Sequence, residues 1–312
     1  MSSCCAPGRS SGGDERGASI PAGTGRPPAV LVPIPGGSFR MGANGAQADD
    51  GDGEGPVHVV ELSPYRLGAH AVTNDEYAAF VDATGHVTEA ERYGWSFVFV
   101  GHLPDEFPDT AAVAQAPWWR QVFGADWRHP HGPQSDLEGR GRHPVVHVAW
   151  TDATAYCAWQ RTRLPTEAEW ERAARGGHEG RVFPWGDELE PGGRHAMNVF
   201  QGTFPAGDSG ADGYTGTAPV DSYAANDLGL FNMTGNVWEW CNDWFSRDYY
   251  RNSAKVDPPG PAAGTQRVMR GGSYLCHESY CRRYRVAARS ANSPDSSTGN
   301  LGFRVAAAPD DP

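Results

Sequence analysis

The stretch RLPTEAEWERAARGG, residues 163–177, contains the clearest helix signal in this 312-residue chain. Thr166 precedes Glu169 by three positions, which is the spacing of a capping box, and Trp170 opens an apolar face. Gly176 follows the pattern, as glycine often does at the end of a helix. The stretch therefore predicts a short helix packed against a core.

Other elements are predicted on both sides of this helix. Thr73 and Glu76 form a second capping box, and that helix is expected to end at Gly85. A third helix is predicted over residues 152–160. Strands are predicted at 57–62, 145–150, 268–275 and 301–306, with loops dominating between about 178 and 265. The pattern indicates an α+β fold that is loop-rich and low in regular secondary structure.

Composition excludes two classes of protein. The formal net charge is −12, which argues against a nucleic-acid partner. No apolar run approaches the roughly 20 residues of a membrane span. The first 19 residues lack the apolar core of a signal peptide. We therefore expect a cytoplasmic monomer whose cysteines are reduced.

The chain divides into one domain and two tails. Residues 1–28 are rich in Gly, Ser, Pro and Arg and are predicted to be a disordered tail. Residues 29–308 contain no linker, no low-complexity block and no convincing repeat, so we expect one continuous domain. Residues 309–312 form a short C-terminal tail.

The six cysteines include a pair, Cys276 and Cys281, within GGSYLCHESYC. On a helix, five residues leave two side chains about 140° apart, and on a strand they point to opposite faces. The two thiols can meet only if the HESY segment bends. Gly271 and Gly272 before it permit close backbone approach.

Three interpretations of the pair remain open: a structural disulfide, two unrelated buried thiols, or a reactive or metal-binding pair. Seven arginines between residues 267 and 304 outnumber Glu278 and Asp295, and positive charge lowers the pKa of a thiol. A closed zinc site needs about four ligands, whereas Cu(I) accepts two sulfurs. We expect His277, adjacent to Cys276, to face away. The arginines are Arg267, Arg270, Arg282, Arg283, Arg285, Arg289 and Arg304.

Six motifs together resemble the formylglycine-generating enzymes, the sulfatase-modifying factors, over roughly residues 30–306. They are GGSYLCHESYC, RYRVAARSANSPDSSTGNLGFR, GNVWEWCNDW, RLPTEAEWERAARGG, NVFQGTFP and DGYTGTAPV. The resemblance implies a single compact domain related to C-type lectins. It also implies an oxidase that uses O2 and Cu(I) to convert the cysteine of a C-x-P-x-R segment in an unfolded sulfatase to Cα-formylglycine.

The resemblance also assigns roles to individual residues. Cys276 and Cys281 would hold Cu(I), and Ser273, Tyr280 and Trp238 would line the oxygen and substrate pocket, with Ser297 and Asn300 close by. Two structural Ca²⁺ sites are implied, one at Asn198, Val199, Asp212 and Tyr214, the other at Asn232, Gly235, Val237 and Glu239. Calcium would fix loops that lack secondary structure.

Several alternatives share this scaffold. A metal-free thiol relay through Cys276 and Cys281 would survive a Cu(I) chelator. A lectin-like binding module would use its cysteines structurally, and an iron-dependent sulfoxide synthase would carry a further His-rich helical domain. Relatives in oxidising compartments have additional cysteines where this chain has Val286 and Val305, so Cys157 and Cys241 are expected to be unpaired core thiols.

Two features lie outside the predicted centre. Cys5, Ala6, Pro7, Gly8 and Arg9 themselves read C-x-P-x-R, which suggests a pseudosubstrate or self-substrate within the tail. The acidic stretch Asp49, Asp50, Asp52 and Glu54 is a candidate contact for a substrate arginine, although such a stretch is usually just solvated.

Overall fold

The computed structural model describes residues 5–9, 29–49 and 51–309. Within these ranges, short helices and short strands alternate with long loops, as expected for a loop-rich α+β domain. The helices are α1 (Asn74–Thr84), α2 (Glu89–Tyr93), α3 (Trp150–Gln160) and α4 (Glu167–Ala174). Over the same ranges, no helix is both long enough and apolar enough to span a membrane.

The strands are short and form several small sheets. They are β1 (Leu31–Ile34), β2 (Gly37–Met41), β3 (His58–Leu62), β4 (Tyr65–Gly68), β5 (Trp95–Phe99), β6 (Ala112–Val113), β7 (Ala116–Phe123), β8 (Gly202–Thr203), β9 (Gly207–Asp208), β10 (Trp238–Trp244), β11 (Arg267–Arg270), β12 (Arg289–Asn292), β13 (Leu301–Gly302) and β14 (Ala306–Ala307). The central sheet has the order β12-β11-β10-β13, and β10 pairs parallel to β13 and antiparallel to β11. Smaller sheets, β1-β4-β14, β2-β3, β5-β7-β6 and β8-β9, complete the fold.

The helices with capping boxes occur as the sequence predicts. The side chain of Thr73 accepts a hydrogen bond from the Glu76 N–H, and Gly85 closes α1 in the left-handed conformation. Helix α4 has the same box at Thr166 and ends one residue before Arg175, with Gly176 left-handed next to it. Each signal is local in sequence, so tertiary contacts do not need to be known to read it.

Three elements differ from the sequence prediction. Residues 145–149 form no strand, because His147 in their middle has a left-handed φ of 59°, and Trp150 then begins α3. Helix α2 was not predicted, although Thr88 and Glu91 form a capping box there as well. Strand β10, the centre of the main sheet, lies within the region expected to be loops. Its sequence, WEWCNDW, alternates poorly because almost all of it is buried.

Buried ion pairs fix the ends of β11 and β12. Arg270 and Arg289 face each other in the strand register, and Glu167 of α4 accepts hydrogen bonds from both guanidinium groups. Arg270 also donates to Glu171 at 2.6 Å. All four side chains are at least 98% buried. Because the segment between these two strands carries the cysteine pair, the ion pairs anchor both ends of the candidate site.

Candidate active site

The segment that follows β11 turns back sharply on itself. Gly271 and Gly272 have φ angles of +96° and +72°, which favour glycine. A Cβ atom on Gly272 would lie 2.9 Å from the carbonyl oxygen of Arg283. The backbone therefore passes close to the returning chain at this point, as predicted from the two glycines.

The HESY segment bends and brings the two thiols together. The Cys281 N–H donates to the carbonyl oxygen of His277 at 2.8 Å, and the Cys276 N–H donates to that of Ser273 at 2.9 Å. The sulfur atoms of Cys276 and Cys281 lie 3.2 Å apart and are free thiols. Only 1% and 2% of these residues are exposed. His277 turns away and contacts the Ser279 hydroxyl instead.

Arg283 supplies the positive charge at the thiols. Its Nη1 lies 3.2 Å from the sulfur of Cys5 and 3.9 Å from that of Cys281, while its Nε and Nη2 donate to Asp52. The sequence suggested a general positive field from seven arginines. Most of that field is neutralised, since Arg270, Arg285, Arg289 and Arg304 form buried ion pairs with glutamates.

The two thiols differ in their tendency to ionise. Burial opposes ionisation of Cys281, but hydrogen bonds with Cys276 and Cys5 and the charge of Arg283 outweigh it and lower its pKa. Burial and the neighbouring Cys281 raise the pKa of Cys276. The pair is therefore best described as one thiolate sharing a proton with one thiol.

Polar groups from two loops surround the pair. Ser273 donates its backbone N–H to the sulfur of Cys276 at 3.4 Å. The amide of Asn300 donates to the Ser273 hydroxyl oxygen at 2.9 Å, and its oxygen accepts from Thr298. The backbone N–H of Trp238 donates to the Asn300 carbonyl oxygen, which ties this loop to β10. The structure thus brings Ser273 and Asn300 to the thiols, as the resemblance implied.

The remaining predicted pocket residues contribute less directly. Tyr280 stacks on Phe204 with ring centroids 3.9 Å apart, and its hydroxyl donates to the Leu275 carbonyl oxygen. Trp238 is fully buried in the apolar cluster that contains the thiols, and its indole N–H has no hydrogen-bond partner among the described residues. Ser297 lies behind the site, where its hydroxyl contacts Ser96.

Five residues of the predicted disordered tail, Cys5–Arg9, occupy a cleft beside the thiols, which is an exception to the expected disorder. The sulfur of Cys5 lies 2.9 Å from that of Cys281. Its carbonyl oxygen accepts from the Asn300 amide at 2.9 Å. Cys5 is 3% exposed. The rest of the tail, and Asp50 of the acidic stretch, lie outside the described residues.

The other residues of this segment are held along their backbone. The amide of Asn292 donates to the carbonyl oxygens of Ala6 and Pro7, at 3.2 and 3.1 Å. The Arg9 N–H donates to the Ser296 hydroxyl oxygen at 2.8 Å. Side-chain contacts thus fix the path of the segment, and the side chain of Ala6 is buried in the apolar cluster that contains the thiols.

The arginine side chain of the segment has its own subsite. The Arg9 guanidinium lies 4.4 Å from the ring centroids of both Tyr93 and Trp95. It also donates to the carbonyl oxygens of Asp295 and Trp95 at 2.7 and 2.5 Å. The acidic stretch does not meet this arginine within the described residues, because Asp52 pairs with Arg283 and Glu54 pairs with Arg285.

Sequence reasoning missed several residues of this cleft. They are Arg283, Asn292, Ser296, Tyr93 and Trp95. The signal for Asn292 and Ser296 was present, since SANSPDSSTGN is unusually rich in short polar residues next to the cysteine motif. No comparable signal marks Tyr93 and Trp95, which are nearly two hundred positions away in sequence.

The cysteine pair fits a soft monovalent ion. Within the described ranges, no group of three or more His, Cys, Asp or Glu side chains is arranged to hold a metal ion. A two-sulfur site falls below that number, and two buried thiols are the donors that Cu(I) prefers. Arg283 would offset the negative charge of two thiolates around one monovalent cation.

The two implied calcium sites differ in their fit. In the first set, Asp212 folds back to accept the N–H groups of Val199 and Tyr214, while the Asn198 amide donates to the Gly216 carbonyl oxygen. The carboxylate keeps lone pairs that a hard cation can use, and burial raises its pKa. The geometry is compatible with an oxygen-ligated ion.

In the second set, the carboxylate of Glu239 does not fit the role of a calcium ligand. Both oxygens of Glu239 accept hydrogen bonds from Arg304, and one also accepts from the Trp170 indole. Arg304 already compensates the charge of Glu239. Asn232 donates to the Val220 carbonyl oxygen, and Gly235 and Val237 offer only backbone oxygens.

The two remaining described cysteines are core thiols. Cys157 and Cys241 are free and buried, as predicted. Burial raises the pKa of both thiols, to about 12 for Cys157. Val286 and Val305 are also buried, and neither position offers a thiol that could pair with another cysteine.

Known proteins resemble this chain over most of its length. A family model described as "Sulfatase-modifying factor enzyme 1-like domain" matches residues 19–309. A formylglycine-generating enzyme from Thermomonospora curvata is 58% identical over 283 residues, which cover 89% of this chain and 93% of that protein. The solved structure of PvdO from Pseudomonas aeruginosa matches with a TM-score of 0.64 and 25% identity, over 89% of this chain and 94% of that one.

Another relative has a name that describes it as inactive. A Bos taurus protein named inactive C-alpha-formylglycine-generating enzyme 2 is 43% identical over 281 residues, which cover 88% of this chain and 87% of that protein. Similarity along the whole chain is therefore shared by proteins named as active and as inactive. Overall identity therefore does not determine the activity of this chain, which depends on its own cysteine pair and cleft.

Proposed function

The chain belongs to the sulfatase-modifying factor enzyme 1-like family, and on that premise we propose that it is a formylglycine-generating oxidase. Its substrate would be the cysteine of a C-x-P-x-R segment in an unfolded sulfatase, and its oxidant O2. One observation carries the proposal: a C-x-P-x-R segment, Cys5–Arg9, lies in a cleft that ends at two buried, adjacent thiols.

Binding of such a segment uses groups of fixed position. Asn300 and Asn292 donate to successive backbone carbonyl oxygens of the segment, so they orient it without selecting its side chains. Tyr93 and Trp95 enclose the arginine, and a desolvated cation–π contact contributes about 2 kcal/mol. Proline at the third position pre-sets an extended backbone before it. These contacts account for the pattern of cysteine, proline and arginine.

The chemistry of the proposed reaction is centred on sulfur. Cys276 and Cys281 would hold Cu(I), which when bound would supply the redox chemistry that a reaction with O2 needs. Arg283 stabilises the thiolate form of the substrate cysteine by its charge, since its Nη1 lies 3.2 Å from the sulfur in that position. Burial excludes water from the thiols, and Ser273 orients both Cys276 and Asn300. The substrate carbon is thereby held in one place while it loses hydrogen and then sulfur.

Calcium has a smaller place in the proposal. We propose one structural Ca²⁺ near Asp212, with Asn198 and backbone oxygens of Val199 and Tyr214 as partners. The support is the folded-back loop that these residues already form. Removing calcium with a chelator should lower the melting temperature without changing copper binding, whereas an unchanged melting temperature would contradict this site.

The oxidase proposal is tested with a separate peptide. Purified protein is loaded with Cu(I), mixed with a thiol reductant and a C-x-P-x-R peptide under air, and probed with an aldehyde-specific hydroxylamine. Matched peptides carry alanine in place of the cysteine or of the arginine. We expect aldehyde only from the complete motif and only with O2 and copper. Absence of aldehyde with several complete peptides, or activity that survives a tight Cu(I) chelator, would overturn the proposal.

A further inference from the structure

The segment Cys5–Arg9 is bound in the way a reactant is bound, and every residue that defines its pattern is buried. Cys5, Pro7 and Arg9 are buried, as is Ala6, and Gly8 is exposed. The cysteine is at the thiol pair and the arginine is in the aromatic subsite. If the arginine occupied its subsite by chance, the cysteine would not reach the thiol pair as a result, because the fold fixes the distance between the two subsites.

The sulfur of Cys5 lies at the reacting position of the cleft. It is 2.9 Å from the sulfur of Cys281 and 3.2 Å from the Nη1 of Arg283. A segment that merely blocked the cleft would need no thiol there. This one presents the chemical group on which the proposed reaction acts.

The chain also makes this binding intramolecular. Residues 10–28 join the segment to the domain. A covalent connection replaces a bimolecular encounter by a local one, with an effective concentration on the order of mM. The backbone of the segment also packs closely against the cleft, since a Cβ atom on Gly8 would lie 2.6 Å from the Asn292 Oδ1.

We propose that Cys5 is a modification site of this chain, oxidised to Cα-formylglycine by the centre at Cys276 and Cys281 of the same molecule. The inference rests on the proposed function and extends it to a substrate that the chain carries itself. Cys5 is the first substrate that the cleft meets, because its segment is already bound.

The step balances with O2 and a thiol reductant as co-reactants. The side chain CH2–SH loses two hydrogen atoms and becomes a thioaldehyde, whose C=S bond water then hydrolyses to an aldehyde and H2S. The two hydrogens, with two electrons and two protons from the thiol reductant, reduce O2 to two molecules of water. The carbon–sulfur bond breaks, a carbon–oxygen double bond forms, and the reductant leaves as its disulfide.

Oxidation would also release the segment. Formylglycine has no sulfur, so the converted residue loses its contacts with Cys281 and Arg283. The contacts of the backbone and of Arg9 remain, whereas the contacts of the Cys5 sulfur are lost. A separate substrate segment then competes for a cleft whose first occupant is bound less tightly.

The test uses the full chain, copper-loaded, with a thiol reductant under air, and follows two products at once. Aldehyde on a separate C-x-P-x-R peptide reports the proposed function, while intact mass and peptide mapping report residue 5. We expect both aldehydes, with up to one aldehyde per chain at Cys5 and a first-order rate that dilution does not change. Arg9→Ala should slow conversion of Cys5 on the order of 10-fold by removing the aromatic contacts.

Cys4→Ala is the matched control, because it removes a neighbouring thiol that is out of register with Pro7 and Arg9. Conversion of Cys5 should be unchanged in this variant. Peptide conversion with Cys5 intact, with Cys5 in a disulfide, or with a rate that falls on dilution would overturn the inference and leave the proposed function standing. If neither thiol is converted, the proposed function fails and the inference fails with it.

A second readout does not depend on turnover. In metal-free protein under nitrogen, alkylation of Cys5 by iodoacetamide should be slower than in the same chain unfolded by denaturant, and Arg9→Ala should accelerate it. Equal alkylation rates for Cys5 in the folded chain, the unfolded chain and the Arg9→Ala variant would overturn the bound segment itself.

Discussion

Arg283 beside the thiols is buried, as are the arginines that form ion pairs in and next to the central sheet, but their guanidinium groups contact different partners. Arg270, Arg289 and Arg304 direct their charge at glutamates within the fold. Arg283 divides its contacts between Asp52 and two sulfur atoms. Glutamates compensate the charges of Arg270, Arg289 and Arg304. One edge of the Arg283 guanidinium instead faces two sulfur atoms.

This difference separates the parts of the molecule that support folding from those that support chemistry. Breaking a buried pair of the first kind leaves an uncompensated charge, so the cost falls on stability. Changing the second kind should affect turnover more than stability, because the thiol that we propose as a substrate is one of its partners. Substitutions in the two regions should therefore give opposite patterns of activity and stability.

The largest effect is expected at the thiols themselves. Cys276→Ser and Cys281→Ser should each reduce aldehyde formation to the level without enzyme, since either change removes one of the two sulfurs that would hold Cu(I). Thermal melting of each variant should stay close to that of the parent. Cys157→Ser, at a buried thiol away from the site, is the control and should retain turnover. Substantial turnover by either thiol variant would remove the distinction between the two regions.

The next largest effect is expected in the sheet. Arg304→Ala leaves the buried carboxylate of Glu239 without its partner and should lower the free energy of unfolding by about 3–5 kcal/mol. Chemical denaturation of metal-free protein measures this. Arg142 pairs with Asp221 at the surface, with 69% and 41% of the side chains exposed, so Arg142→Ala should cost about 0.5 kcal/mol or less. Equal losses for both variants would contradict the contrast.

A pH effect on stability is expected at His147, behind the cleft. Burial lowers its pKa to about 4, and its ring contacts the Ser96 hydroxyl and the Pro130 carbonyl oxygen. The folded state then binds fewer protons than the unfolded state between pH 4 and the ordinary histidine pKa of 6.5, so stability falls as the pH is lowered through that range.

Denaturation curves at pH 7 and pH 5 measure this effect. His147→Gln should lose about 2 kcal/mol less than the parent over that interval, because one group titrating over roughly 1.5 pH units contributes that amount. His131, whose pKa burial lowers to about 2, acts in the same direction and stays in both proteins. An identical loss in the parent and the variant would show that His147 is not the titrating group.

The smallest effect is expected at the carboxylate that orients Arg283. Asp52→Asn should lower kcat/KM about 10-fold, as is usual when a residue behind a site is changed, with little loss of stability. Asp49 lies 3.9 Å from the same guanidinium and its side chain is 49% exposed, so Asp49→Asn serves as the control with no expected change. A larger loss of stability than of turnover in Asp52→Asn would show that Arg283 supports folding, as Arg270, Arg289 and Arg304 do.

Local sequence signals predicted the parts of the structure that depend on local contacts. The boxes at Thr73 and Thr166 gave two helices, and Gly272 with the Cys276–Cys281 spacing gave the bend of the loop. Residues 145–150 resembled a strand because they are apolar and buried, but burial alone does not distinguish a strand from a buried loop.

Long-range pairing could not be predicted in the same way. The partners of Arg270, Arg289 and Arg283 are about a hundred or more positions away, so the sequence showed positive charge without its compensation. The same limit applies to the Arg9 subsite, which α2 and β5 form together through Tyr93 and Trp95, and to Ser296 rather than Ser297 as the contact of the segment. Which of two adjacent serines faces the cleft is decided by backbone direction, which composition does not record.

X-ray absorption spectroscopy of the Cu(I)-loaded protein identifies the atoms that bind copper. We expect sulfur-only coordination, with three sulfurs in the parent and one sulfur fewer in each of Cys5→Ser, Cys276→Ser and Cys281→Ser. Nitrogen or oxygen ligands around copper, or copper binding that is unchanged when either thiol of the pair is replaced, would contradict it.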